Sequence, residues 1–178
     1  MQNETVNILI VEDEGIVAMD LAAGLQMDGY HIAGIADNAE SAIAIFKEET
    51  VDIVLMDINI IGETDGVDTA AALLKIRYVP IIFLTAFTDS KTIDRVKQIC
   101  PAAFLSKPYS INNVRISIDL SLSNFAIAKE TQAGGKVVEM SSSKESKSAL
   151  EKEAVLQLND FIFIKDHYRF IKIKIEEI

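Results

Sequence analysis

Five short apolar runs recur along the first two thirds of the chain, each followed by a stretch with helical periodicity. They are Asn7–Val11 (NILIV), His31–Ala36 (HIAGIA), Ile53–Met56 (IVLM), Ile81–Leu84 (IIFL) and Ala103–Leu105 (AFL). Rich in Ile, Val and Leu and mostly without polar alternation, they read as parallel strands covered on both faces. Gly15–Met27 places Ile16, Met19, Ala23 and Met27 near one helical face, with Gly29 as a stop. Asn38 is the expected N-cap of a helix over Ala39–Glu48, and Asp65-Gly66 opens a segment to about Ile76. Asp89 or Ser90 is placed to cap Lys91–Ile99, and Ser110 to cap a last helix to about Asn124. Strand and helix alternating five times predicts a doubly wound α/β sheet.

The pattern changes from Phe125. Gly134-Gly135 and Ser141–Ser148 read as a flexible linker. Ser148-x-x-Glu151 fits a capping box, so a short helix to about Leu158 is expected. Phe161–Lys165 and Phe170–Ile175 then read as two strands around an Asp166–Arg169 turn, with Ile171, Ile173 and Ile175 alternating with Lys172 and Lys174. Two strands alone are marginally stable in water, so this hairpin needs a partner surface. The expected division is a domain over 1–124, a partly helical or disordered linker over 125–157, and a β-hairpin segment over 158–178.

Composition narrows the function classes. The 178 residues are 49% hydrophobic and 25% charged, a globular composition. Residues 1–123 hold 8 basic and 18 acidic side chains, and the remainder 9 of each, so neither part has the basic excess of a self-sufficient nucleic-acid binder. The acidic part is suited to attracting a cation. Cys100 is the only cysteine, and His31 and His167 are the only histidines, which excludes a disulfide framework and a Cys- or His-rich metal site. Met1–Thr5 lacks the features of a signal peptide, and Tyr78–Phe87 falls well short of the roughly 20 residues needed to span a bilayer. A soluble, cytoplasmic protein is expected, with no membrane partner.

In an open α/β sheet, ligands bind beyond the carboxyl ends of the strands. The first run ends at Glu12-Asp13, the third at Asp57, the fourth at Thr85 and the fifth at Lys107-Pro108. Each residue alone has an ordinary reading as a turn, a cap or a solvated charge. Thr5, Asp37 and Asp52 are left at that reading. At the ends of four adjacent strands, however, the five would share one crevice. Carboxylates packed together repel unless a cation neutralises them. With oxygen ligands only, the natural ion is Mg²⁺, held by one or two carboxylates plus a phosphate. A lysine opposite the ion serves as a point charge on a phosphoryl oxygen.

The arrangement resembles the receiver domain of two-component response regulators over roughly Asn7–Asn124, in the motifs VEDE, LMDIN, FLTA and LSKPY. The resemblance implies a five-stranded flavodoxin-like sheet in the order 2-1-3-4-5. It also implies that Asp57 is the phosphoacceptor, that Asp13 binds Mg²⁺ directly, and that Glu12 acts beside it through water. Asn59 matches the residue whose backbone carbonyl ligates the ion. Thr85 matches the hydroxyl that bonds the phosphoryl group, and Phe104 the rotating aromatic switch. Lys107 matches the family's lysine, with a cis bond to Pro108 expected. The implied partner is a sensor histidine kinase whose phosphohistidine is attacked by Asp57. The implied readout face, about 89–123, is where a homodimer is expected.

Two departures from the family stand out. The loop Ile60–Thr64 before Asp65-Gly66 is about one residue longer than usual and is expected to be more flexible. Phe104 has no hydroxyl, so a switch there works by packing alone. Phe87 and Asn59 are expected to flank the path of the hydrolytic water, and a bulky apolar Phe87 predicts a long-lived phosphoryl group.

Residues 158–178 resemble the opening strands of a LytTR-type DNA-binding domain, and the chain stops where further strands would follow. The sequence therefore reads as a shortened transcriptional regulator, or as a short protein whose hairpin packs elsewhere. Lys165, Arg169, Lys172 and Lys174 would touch DNA phosphates only in a complete domain. Two alternatives remain: a stand-alone receiver acting through protein partners, and an aspartate-nucleophile phosphatase. The phosphatase needs a second aspartate two residues after the nucleophile, where this chain has Asn59. A nucleotide-binding reading lacks any G-x-G-x-x-G or G-x-x-x-x-G-K-[ST] loop.

Overall fold

The computed structural model describes residues 5–86 and 90–132, and the strands at 155–158, 161–166 and 169–174. In the first part the elements alternate as β1 (Asn7–Val11), α1 (Gly15–Met27), β2 (His31–Ala36), α2 (Ala39–Glu48), β3 (Ile53–Met56), α3 (Gly66–Ile76), β4 (Ile81–Thr85), α4 (Ser90–Ile99), β5 (Ala103–Ser106) and α5 (Ile111–Gln132). The five strands are parallel in the order β2-β1-β3-β4-β5, the doubly wound flavodoxin-like sheet expected.

Successive side chains of a strand point to opposite faces, and here both faces are buried. Ile8, Ile10, Ile53, Leu55, Ile82 and Leu84 pack with Leu21 and Leu25 of α1 and with Val114, Ile118 and Leu122 of α5. Leu9, Val11, Val54, Met56, Ile81 and Phe83 pack with Phe46 of α2, Leu73 of α3 and Val96 of α4. The central strands are therefore apolar at nearly every position, whereas the edge strands β2 and β5 are only partly buried. Each fully buried side chain of the size of Phe46 or Leu55 contributes about 1.5–3 kcal/mol.

Several expected caps are formed. Asn38 accepts a hydrogen bond from the Ser41 N–H at 2.9 Å, Asp65 from the Asp68 N–H at 3.0 Å, and Ser110 Oγ from the Asn113 N–H at 3.2 Å. Ser90 is already helical rather than a cap, and Asp89 lies outside the described residues.

Three expectations are corrected. The face of α1 carrying Ile16, Met19, Ala23 and Met27 points to solvent, with Ile16 87%, Met19 70% and Met27 88% exposed, while Ala18, Leu21, Ala22 and Leu25 are buried. The helix is apolar on both sides, so periodicity alone did not say which side meets the sheet. Secondly, α5 continues past Asn124 to Gln132, because Ala126 is buried and Phe125 stacks on Tyr78 at a centroid distance of 5.1 Å. Thirdly, Val155–Leu158 is a strand, β6, and not the end of a helix. It pairs antiparallel with β7 (Phe161–Asp166), which pairs antiparallel with β8 (Arg169–Lys174). The expected hairpin is present, within a residue at each end, as two strands of a three-stranded sheet. Residues 133–154, including the Gly134-Gly135 and Ser141–Ser148 stretches, lie outside the described residues. Among the described residues, no helix is long and apolar enough to cross a membrane.

Candidate functional site

The carboxyl ends of β1, β3, β4 and β5 bring Glu12, Asp13, Asp57, Thr85 and Lys107 to one edge of the sheet. Backbone bonds just beyond the strands hold three of them. The Glu12 N–H donates to Ala36 O at 2.9 Å, the Asp57 N–H to Val11 O at 2.8 Å and the Lys107 N–H to Thr85 O at 2.8 Å. Each extends the parallel ladder past the last apolar residue, so the first polar side chain of each strand inherits the rigidity of the sheet.

Lys107 lies between two of the acids. Its Nζ donates to Asp57 Oδ2 at 2.6 Å and to Glu12 Oε2 at 2.7 Å, with Glu14 Oε1 3.9 Å away. These side chains are withdrawn from water, at 15% exposed for Lys107, 2% for Glu12 and 6% for Asp57. The Lys107-Pro108 peptide is cis. The Asn59 N–H donates to the other acceptor oxygen, Asp57 Oδ1, at 3.1 Å. Thr85 is 1% exposed at the end of β4. Phe104 stands on β5 beside Phe83, two residues before Ser106, which pairs with Thr85, and its ring is partly exposed.

Burial raises the Glu12 pKa above its ordinary value; the Lys107 hydrogen bond opposes this, and the Asp57 charge adds to it. Burial alone would lower the Lys107 pKa, but the bonds to Asp57 and Glu12 hold it above the usual lysine value. Burial also pushes Tyr109 up to about 12, and its buried hydroxyl has no hydrogen-bond partner among the described residues.

Glu12, Asp13 and Asp57 each offer an oxygen within 4.8 Å of the others. Three carboxylates against one ammonium leave a net −2 (−3 + 1) in a half-buried pocket. That donor set fits a hard dication. Lys107 engages both Glu12 and Asp57, so among the three carboxylates Asp13 is the one it leaves unbridged.

The long loop after Asp57 is tied at its start and its end, with Ile61, Gly62 and Glu63 exposed between. Ile58 and Ile60 are buried, and Ile61 forms a parallel bridge with Asn38. The Gly66 N–H donates to Ile58 O at 2.8 Å. Gly66 is required by close approach, since a Cβ at this position would overlap the Asp57 carbonyl oxygen. At the far end of the loop, Arg95 of α4 grips Asp65.

Sequence reasoning missed Arg95, Glu14 and Tyr109. An arginine on an amphipathic helix carries no signal of its partner, and Glu14 was visible only as part of the acidic run. Tyr109 was quoted only as the last letter of a motif. Asp52 and Asp37 have the structural roles assigned to them: Asp52 accepts from the Asn7 N–H at 2.9 Å, and Asp37 from Asn38 Nδ2 at 2.6 Å. Phe87 lies outside the described residues.

Comparison with known proteins agrees with this geometry. The transcriptional regulatory protein PdtaR of Mycobacterium tuberculosis is 31% identical over 166 residues, covering 93% of this chain and 80% of the relative. The phyllosphere-induced regulator PhyR of Methylorubrum extorquens is 34% identical over 116 residues, or 65% of this chain and 43% of that protein. The signal receiver domain of a modulated diguanylate cyclase from Desulfovibrio desulfuricans superposes with a TM-score of 0.67 at 34% identity, covering 70% of this chain and 99% of that one. A CheY-like receiver domain protein from Methanospirillum hungatei shares the fold, with a TM-score of 0.64 at 20% identity over 74% of this chain and 100% of that one. Residues 8–119 match the profile described as the response regulator receiver domain. With the strand order and the acidic edge in place, the chain belongs to the response regulator receiver domain family of two-component systems.

Proposed function

We propose that Asp57 accepts a phosphoryl group from the phosphohistidine of a sensor kinase, and that the acyl phosphate switches an output. A carboxylate oxygen of Asp57 attacks phosphorus, the P–N bond breaks, and the imidazole nitrogen leaves with the bonding pair. The observation that carries this reading is Lys107 Nζ at 2.6 Å from Asp57 Oδ2, beside the Asp13 and Glu12 carboxylates. The ammonium takes up charge on the phosphoryl oxygens, and the sheet positions the nucleophile; positioning and electrostatics supply most of the catalysis in such transfers. Mg²⁺, held by Asp13, Asp57 and the backbone carbonyl of Asn59, would neutralise charge on the transferring group. Thr85 then bonds the new phosphoryl group, and Phe104 turns inward by packing alone.

The test is the intact mass after incubation with Mg²⁺ and acetyl phosphate, beside Asp57→Asn. One phosphoryl group on the wild type only, lost with chelator, is the expected outcome. Steady release of inorganic phosphate from many donors would instead favour the phosphatase reading.

The exposed stripe Ile16, Met19, Ala23 and Met27 begins on the first turns of α1, directly after Glu12–Glu14. This supports α1 as the surface on which an apolar helix of the kinase docks. Ile16→Lys is expected to slow transfer from the kinase and to leave phosphorylation by acetyl phosphate unchanged. The exposed Ile93, Phe104, Ile116 and Leu120 support a homodimer through the α4–β5–α5 face, and sedimentation of Leu120→Arg tests it. The naming of PdtaR as a transcriptional regulator, over 93% of this chain, supports transcription as the output. DNA contact through the C-terminal strands, as a LytTR-type domain would make it, is tested by a binding titration of the protein with duplex DNA.

A further inference from the structure

The first turn of α3 is built against the backbone of Asp57. Gly66 packs on the Asp57 carbonyl so closely that no side chain fits, and its N–H donates to Ile58 O at 2.8 Å. Asp65 immediately before it caps the helix, accepting from the Asp68 N–H at 3.0 Å, while its own carbonyl accepts from Thr69 N at 2.9 Å and Thr69 Oγ1 at 2.8 Å. Asp65 is thus tied through Gly66 to the backbone of residues 57 and 58.

One side chain from another helix holds that cap. Arg95 of α4 donates from Nη1 to Asp65 Oδ2 at 2.7 Å and from Nη2 to Asp65 Oδ1 at 3.0 Å, a two-pronged grip, and its Nη2 also lies 2.8 Å from Asp68 Oδ1. Burial would raise the Asp65 pKa, but the grip, with the backbone N–H groups of Asp68 and Val67, holds that carboxyl below its ordinary value. A fork of parallel N–H···O bonds fixes orientation as well as distance, which a lysine could not do. In the chain, α4 follows within a few residues of Thr85, the hydroxyl at the end of β4. A connection between α4 and the site therefore runs through Arg95, Asp65 and Gly66 to Asp57.

We propose that Arg95 is a positioning residue, which couples the placement of α4 to the geometry of Asp57 through the cap of α3. The inference rests on the reading of Asp57 as the phosphoacceptor. In binding free energy such coupling is reciprocal: a partner that seats better on α4 when Asp57 is phosphorylated favours the phosphorylated state by the same factor. Separately, moving α4 would shift Asp57 through the Arg95 link and so change how fast the protein is charged or discharged.

An exposed ion pair that merely adds stability would move the melting temperature and leave the chemistry alone. The experiment therefore follows phosphorylation by intact mass, with Mg²⁺ and acetyl phosphate from low to saturating concentration, and then the decay of the acyl phosphate after donor removal. The proteins are wild type, Arg95→Ala, Arg95→Lys and Lys97→Ala. The last removes an exposed ion pair with Asp94 on the same helix without touching α3.

Arg95→Ala is expected to lower the rate at saturating donor by roughly three- to tenfold, since small misplacements of reacting groups are costly. The donor concentration for half-maximal rate should stay near that of wild type. Arg95→Lys should fail to restore the rate, and Lys97→Ala should match wild type. Saturating rates and decay of both Arg95 variants equal to wild type, with only a lower melting temperature, would overturn the inference. A wild type that takes no phosphoryl group, or an Asp57→Asn protein that takes one, would overturn the acceptor reading and the inference with it.

Discussion

Two clusters with a similar inner arrangement stand at the two ends of the loop that follows β3, the first with Asp13 as an additional acid. Each is one cation between two carboxylates: Lys107 with Glu12 and Asp57, and Arg95 with Asp65 and Asp68. The first is withdrawn from water, at 15%, 2% and 6% side-chain exposure, and the second lies largely in it, at 40%, 34% and 66%. The pKa directions differ accordingly. Burial outweighs Lys107 at Glu12 and raises its pKa, whereas at Asp65 burial is overcome by the Arg95 bonds together with the backbone N–H groups of Asp68 and Val67, which lower it. Burial, rather than the list of charges, separates a cluster stressed enough to want a further cation from one that is satisfied and serves as a fastener.

The sharpest way to break this comparison is to remove each cation in turn. Lys107→Met leaves buried carboxylates facing one another, and is expected to cost about 3–5 kcal/mol in chelator, the usual penalty for breaking a buried pair on one side. Urea unfolding should show that Mg²⁺ recovers part of that loss, and the recovery should vanish when Asp13→Asn is added. A Lys107→Met protein as stable as Arg95→Ala would mean that the two clusters are not distinguished by burial.

Gly66→Ala probes the link between them. The methyl group would meet the Asp57 carbonyl, so the backbone must shift, at a cost of about 1–3 kcal/mol. Phosphorylation by acetyl phosphate should fall along with stability. Unchanged phosphorylation in a destabilised protein would disconnect the α3 cap from the acceptor.

The smallest effect expected is a pair of opposite pH trends. The lowered Asp65 pKa means a stabilising contribution that is present above its ordinary value of 3.8 and is lost as pH falls through the folded-state value. Asp65→Asn should therefore be less stable than wild type at neutral pH, and the two should converge in acid. The raised Glu12 pKa has the other sign: its contribution is complete below 4.5 and disappears as pH rises through the folded-state value. In chelator, Glu12→Gln should accordingly gain on wild type as pH rises. Parallel trends for the two substitutions in chemical denaturation would refute the assignment.

Much of the site was legible along the chain because parallel strands put their carboxyl ends on one edge. Asking which polar residue ends each apolar run was enough to assemble Glu12, Asp13, Asp57, Thr85 and Lys107. The caps Asn38, Asp65 and Ser110 were legible for a similar reason, since a short polar side chain before a periodic segment has one nearby set of unsatisfied N–H groups. The outward face of α1 was not, because Ile16 and Met19 are as apolar as Leu21 and Leu25. Nor was the strand at Val155–Leu158, where a local capping pattern pointed to helix and antiparallel pairing with β7, Leu158 opposite Phe161, prevailed. The grip of Arg95 on Asp65 joins residues 30 positions apart, and nothing local marks it.

The sequence by itself determined the alternation of strands and helices, the edge at which the polar residues gather, and the residue types that chemistry needs there. Period and punctuation are local properties, and the direction of a parallel strand turns them into a place. Only the tertiary structure decided which face of α1 is left to solvent, that the long loop after Asp57 is tied at its start and its end, and that Arg95 of α4 reaches the cap of α3. Those depend on which surfaces exclude water together, and that is settled by packing across the whole sheet.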